Sequence, residues 1–195
     1  MPETSLPVGQ LLVVVAHPDD ESFGCGSTIA HAVAAGSRVS VCCATLGEAG
    51  ELAPGYDLGD RTLAEVRHAE LHAAAAALGA TCLPPLGLLD SGFDGPIAAG
   101  TLCALPLPEL AARIGKVIVA TRPDVVLTIA GDDGHRDHLH LAAAIRAATA
   151  ASRLPLYEWC LPNHLMRRWQ RTRPRPRPTR GCRTNWPRHS SPANT

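Results

Sequence analysis

One imidazole and three carboxylates, His17, Asp19, Asp20 and Glu21, close the segment LLVVVAHPDDE at residues 11–21, and a second cluster of the same kind, DDGHRDHLH, fills residues 132–140. Side chains of these types can ligate a divalent cation and move protons beside it. A catalytic zinc site takes three protein ligands from His, Asp or Glu and leaves the fourth position to water. His17 and Asp20, three residues apart on one turn, meet that count with one imidazole from the second cluster. His138 is the best third ligand, since it falls on the first turn of the following helix, whereas His140 sits about 200° further round. Asp19 and Asp20 cannot both point the same way from one turn, so one ligates and the other faces the bound water. Zinc lowers the pKa of its water to about 7, and Asp19 is placed to take the proton during attack on a carbonyl. His135 is left free beside the metal; as an imidazolium it would stabilise the oxyanion, with Asp137 orienting its ring.

Both clusters must be carried to one place. Each follows an apolar run, residues 11–16 and 124–129, and both runs read as buried parallel strands. In an open α/β sheet, ligands sit at the carboxyl ends of the strands, which is where both clusters begin. Pro18 fixes its own φ and keeps His17 extended, which stiffens the first turn. Residues 23–26 (FGCG) then form a flexible approach to a helix capped by Ser27 or Thr28 and stopped by Gly36. A strand at 38–44 leads into a Gly- and carboxylate-rich loop at 46–60, long enough to be functional. The clearest helix spans 62–78; a strand near 80–86, a loop at 89–95, a helix at 108–121, a helix from about 138 to 151 and a strand at 154–159 complete the pattern. This alternation implies an α/β fold, a Rossmann-like three-layer α/β/α arrangement with a mostly parallel sheet and right-handed crossovers. The first turn is not G-x-G-x-x-G, which argues against a dinucleotide.

The 195 residues suit one domain, residues 1–162, followed by an Arg/Pro-rich tail at 163–195. All 18 acidic residues precede His164, while nine of the 18 basic residues lie from Arg167 onward, so residues 1–163 carry a net charge of −9. An acidic body argues against nucleic acid as a partner. The tail, with Arg-Pro alternation and no acidic residue, cannot build a core; it reads as disordered or polyproline-like, or as a frameshifted gene end, with a nucleic-acid arm the least favoured alternative. The N-terminal residues show no basic region and residues 11–16 are too short for a membrane span, so a cytoplasmic protein is expected. Seven cysteines without C-x-x-C spacing read as reduced thiols. His68 and His72 have the i,i+4 spacing of a metal pair but lack a third ligand nearby in sequence, and read as an ordinary helix face. On sequence alone, Arg67 is a helix-face ion-pair partner for Glu65 or Glu70.

The motifs A-H-P-D-D-E at 16–21 and G-H-x-D-H at 134–138 resemble those of the LmbE-like (PIG-L) family of N-acetylglucosaminyl deacetylases. The intervening LGEAGE at 46–51, EVRHAEL at 65–71, Leu78-Gly79 and Asp90-Ser91-Gly92 fit the same pattern, and the similarity covers residues 10–160. It implies zinc at His17, Asp20 and His138, with ferrous iron accepted by the same donors, Asp19 as base and His135 as the polarising imidazole. It also implies that Arg67 and Asp90 contact the sugar or its aglycone, and it raises Glu48 as a further ligand contact. The implied substrate is a small molecule carrying N-acetylglucosamine, without membrane or nucleic-acid partners and with room for a homo-oligomer. A larger sugar-linked amide, or a truncated and catalytically silent member, are the alternatives. Arg136 replaces the proline usual in the second motif, which predicts a less rigid loop with a new positive charge. The Arg-Pro tail stands where family members continue with a structured region.

Overall fold

The computed structural model describes residues 9–160; the tail at 163–195 lies outside them. Strand β1 (Gln10–Val15) is followed by a single helical turn α1 (Asp20–Phe23), helix α2 (Gly26–Ala34), strand β2 (Arg38–Cys43), helix α3 (Leu63–Ala77) and a two-residue strand β3 (Thr81–Cys82). A short 3-10 turn (Leu102–Ala104), helix α4 (Leu107–Thr121), strand β4 (Val125–Ile129), helix α5 (Arg136–Ser152) and strand β5 (Leu156–Trp159) complete the chain. The five strands form one parallel sheet in the order β3-β2-β1-β4-β5.

Alternation along β1 builds the three layers. Leu12 and Val14 pack on one face with Leu110 and Ile114 of α4 and Leu141 and Ile145 of α5. Leu11, Val13 and Val15 pack on the other with Ile29 of α2 and Leu71 of α3. Both faces of β1 are therefore buried, as its unbroken apolar run requires. Leu12 is fully enclosed. Leu12→Ala is expected to cost about 2–5 kcal/mol in stability, read as a lower urea midpoint, because the cavity cannot collapse between two packed layers.

Three local expectations are corrected. Strand β3 covers two residues and not seven, because Pro84 and Pro85 have no N–H to give; Leu83, Leu86 and Leu88 still donate to β2 and its extension. Helix α2 starts at Gly26 with no side-chain cap, so neither Ser27 nor Thr28 caps it. The approach expected at 23–26 shrinks to the turn at Gly24 and Cys25, because Phe23 closes α1 and Gly26 opens α2. Helix α3, by contrast, carries a reciprocal cap in which Thr62 and Glu65 satisfy each other's backbone N–H groups.

The order β3-β2-β1-β4-β5 puts the topological switch point between β1 and β4. Both clusters leave the sheet there: His17 lies two residues past β1, and His135 caps α5 just after β4. Gly131 allows the close fit, since a Cβ there would stand 2.7 Å from the Leu139 Cα. Among the described residues no helix is long and apolar enough to cross a membrane.

Candidate metal centre

His17 and His138 approach each other across the switch point. His17 Nδ1 lies 3.2 Å from His138 Nε2, and the Asp20 Oδ2 oxygen stands 3.6 and 3.4 Å from those two nitrogens. Three donors bound about 2.0–2.1 Å from a tetrahedral ion stand about 3.3 Å apart, so the triangle matches the cation it would hold. His135 joins His17 and His138 in a wider grouping within 4.8 Å.

Each ligand ring is backed by carboxylate on its far nitrogen. His17 Nε2 faces Asp137 at 3.2 Å and Asp90 at 3.5 Å, and His138 Nδ1 faces Asp133 at 2.6 Å. Such partners fix the tautomer and leave the other nitrogen free for a metal. Burial opposes charge on His17, but hydrogen bonds to Asp137, Asp20 and Asp90 overcome it and push the ring up to about 11. His138 follows the same logic through Asp133 and Asp20, rising to about 9. Burial alone would raise Asp20 and Asp137, yet their imidazole partners hold both well below the usual carboxylate range.

Asp19 is built differently. Its backbone sits at φ 110°, a conformation rare for a residue with a side chain, and two neighbours hold it there. Glu21, fully buried, accepts the Asp19 N–H at 3.0 Å, and Arg67 donates to the Asp19 carboxylate at 2.7 Å as well as to the Pro18 carbonyl. Glu21 thus braces the turn and does not line the cleft. The Asp19 side chain remains 51% exposed, pairs with Arg67 and lines the cleft. Burial first, and then the charge of Asp20, raise its carboxyl to about 6, against the pull of Arg67.

His135 caps α5, its Nδ1 accepting the Asp137 N–H at 3.2 Å. The Asp137 carboxylate does not reach this ring: it binds His17, the Ser91 N–H and the Cys103 thiol, so Asp137 orients His135 through its backbone alone. Burial, then the charges of His17 and His138, push His135 down to about 4. It is therefore neutral at pH 7, not the expected imidazolium. With Nδ1 accepting, its single proton is assigned to Nε2.

A cleft of about 1040 Å³ opens over these groups. Asp19, Arg67 and Asp90 line it with Phe93 and Trp159, whereas Glu48 does not; the Glu48 Oε2 atom is buried without a partner. Arg67 pairs with Asp19 across the cleft, in place of Glu65 or Glu70 on its own helix. The His68 and His72 Nε2 atoms lie 3.2 Å apart on α3, outside the cleft. Sequence reasoning missed Asp133, whose only signal was its place five residues before His138 in an acidic loop.

Fold and cluster together define a Rossmann-like α/β protein with a His/Asp site able to hold a metal ion at its switch point. The chain belongs to the PIG-L family, described as GlcNAc-PI de-N-acetylase, whose model matches residues 12–149. Two curated relatives are each named 1D-myo-inositol 2-acetamido-2-deoxy-alpha-D-glucopyranoside deacetylase. That of Kineococcus radiotolerans is 40% identical over 164 residues, covering 73% of this chain and 45% of its own length. That of Actinosynnema mirum is 41% identical over 158 residues, covering 73% and 56%. The chain thus spans about half the length of these relatives. Among solved structures, the zinc-inhibited form of teicoplanin deacetylase Orf2 superposes with a TM-score of 0.64 at 23% identity, covering 80% of this chain and 69% of that one.

Proposed function

We propose that this chain is a cytoplasmic, metal-dependent N-deacetylase of a small molecule containing N-acetylglucosamine, with residues 1–162 as the catalytic domain and 163–195 as an appended tail. One observation carries the reading: His17 Nδ1, His138 Nε2 and Asp20 Oδ2 converge within 3.6 Å beside a cleft that Asp19 also lines. The names of the relatives at about 40% identity support the same reaction. In this reading His17, Asp20 and His138 hold a divalent cation, zinc by the family resemblance, with ferrous iron suited to the same donors. Such an ion, when bound, lowers the pKa of its water to about 7 and polarises a carbonyl.

The protein's own groups do the rest. Asp19 accepts the proton of the attacking water and passes it to the departing amine. His135 donates from Nε2 to the acetamide oxygen as negative charge grows there. Asp133 and Asp137 hold the two ligand rings in register. Arg67 spends its hydrogen bonds on Asp19 and on the Pro18 and Gly47 carbonyls, so it fixes the base, while Asp90 offers a carboxylate to sugar hydroxyls. Asp133→Asn is expected to weaken metal binding by about 10–100-fold, measured by competition with a chelator, with the fold intact by circular dichroism.

The cleft volume and an apolar rim of Phe23, Tyr56 and Phe93 favour a second reading, an amidase of a larger sugar-linked conjugate. The test is metal content together with acetate release from a panel running from simple N-acetylglucosaminides to bulky conjugates. Acetate from the simple sugars supports the first reading, and hydrolysis of bulky amides alone supports the second. Stoichiometric metal with no hydrolysis of any member overturns both.

A further inference from the structure

We propose that Arg136 is a positioning residue that sets substrate affinity by fastening residues 91–95 beside the metal centre as one wall of the cleft; the inference rests on the deacetylase reading. Arg136 opens α5, and its side chain turns back toward the loop that follows Leu88. Its Nε donates to the Gly92 carbonyl at 2.7 Å and its Nη1 to the Gly95 carbonyl at 2.8 Å, while Nη2 donates to the carbonyls of Ser91 and Asp94. One guanidinium thus engages four carbonyls of a five-residue segment. Among the described residues, no other hydrogen bond ties Gly92, Asp94 or Gly95 to the helices or the sheet.

What the loop carries explains why its position matters. Asp90 stands 3.5 Å from His17 Nε2, and the Ser91 N–H reaches the Asp137 carboxylate at 2.9 Å. Phe93, 58% exposed, turns its ring nearly edge-on to His135, with centroids 5.5 Å apart. Asp90, Gly92, Phe93 and Asp94 all line the cleft. The loop therefore holds the residues that face a substrate's flank, while the three donors themselves stand on the turn from β1 into α1 and on α5. Releasing the loop removes binding surface and leaves the metal in place.

The rigid fork of arginine is needed for this. A proline at position 136 has no donor at all, and a lysine presents one compact group with three protons that cannot span carbonyls from Ser91 to Gly95. The new positive charge at Arg136 is thereby absorbed by backbone oxygens of the neighbouring loop.

The test compares the full, metal-loaded chain with Arg136→Ala and Arg136→Lys by hydrogen–deuterium exchange, metal analysis and steady-state kinetics. Arg136→Ala is expected to speed amide exchange across residues 90–95 by about tenfold or more. It should also raise KM about tenfold, with kcat within about threefold and metal content unchanged. Arg136→Lys should fall between, and it replaces the alanine variant if that one does not fold. Unchanged exchange overturns the clamp. Faster exchange with unchanged KM, or a loss confined to kcat, overturns the role in affinity. Absence of acetate release from the unaltered chain sinks the deacetylase reading and the affinity claim with it, while the exchange data still decide whether Arg136 holds the loop.

Discussion

Asp19→Ala is expected to keep its metal and lose turnover by about 10²–10⁴-fold, the range attributed to a positioned proton-transfer group. The two halves of that result come from two features of one turn. Asp20, one residue on, points to the two imidazoles, while the strained backbone of Asp19 turns its carboxylate toward the cleft and Arg67. Deleting the Asp19 carboxylate therefore removes no donor from the triangle. A base works only when ionised, so activity is present above the pKa of Asp19 and is lost as pH falls through it. Burial and the charge of Asp20 place that value at about 6, and a cation in the site pulls it lower. The acid limb of kcat/KM thus lies at or below about 6, and it should vanish from the residual activity of Asp19→Ala. Asp19→Asn, which keeps the shape and the bond to Arg67, should be as inactive. Retained turnover in either variant overturns the base assignment, and loss of metal makes Asp19 a ligand.

The part of this site that sequence makes legible is the part written in local spacing. An apolar run that stops at HPDDE, and another that stops at DDGHRDH, are two strand ends, and a parallel sheet brings strand ends to one edge. Neighbouring places for β1 and β4 then follow from topology, so His17, Asp20 and His138 meet although 121 residues separate the two histidines. What stayed hidden depends on side-chain direction over long range. Nothing in the order of residues says that the Asp137 carboxylate turns toward His17 instead of its near neighbour His135, or that Asp133 backs His138. The depressed His135 follows from burial between two imidazoles, and burial exists only once the sheet is assembled. Glu48 shows the reverse: its loop lines the cleft through Ala49, Gly50 and Glu51, while Glu48 is not among the lining residues and its Oε2 is buried without a partner. The strand expected at 80–86 shows composition misleading by length, since apolar residues around a Pro-Pro pair follow β2 without forming a ladder.

His138→Ala should purify without stoichiometric metal, and its affinity should fall by more than the 10–100-fold attributed to losing a partner that only orients a ligand. The substitution takes one corner from the triangle and leaves Asp133 beside a gap, with its Oδ2 partner gone and only Oδ1 still accepting the His135 N–H. His140→Ala supplies the control on the same helix. Its ring is bonded to the Leu105 carbonyl at 2.9 Å and does not line the cleft, so this variant should load metal normally. Protonation gives an independent reading of the same ligands. The carboxylates around His17 and His138 favour their charged forms, which raises the two rings to about 11 and about 9, and a proton on the ligating nitrogen of either ring excludes the cation. Metal affinity should therefore fall steadily as pH is lowered, with protons released when metal binds, as read by calorimetry in buffers of different ionisation enthalpy. In His138→Ala fewer protons should be released per metal bound. Equal proton release from both proteins, or metal loss from His140→Ala in place of His138→Ala, would move the third ligand to another residue, and His135, within 4.8 Å of the other two rings, is the next in reach.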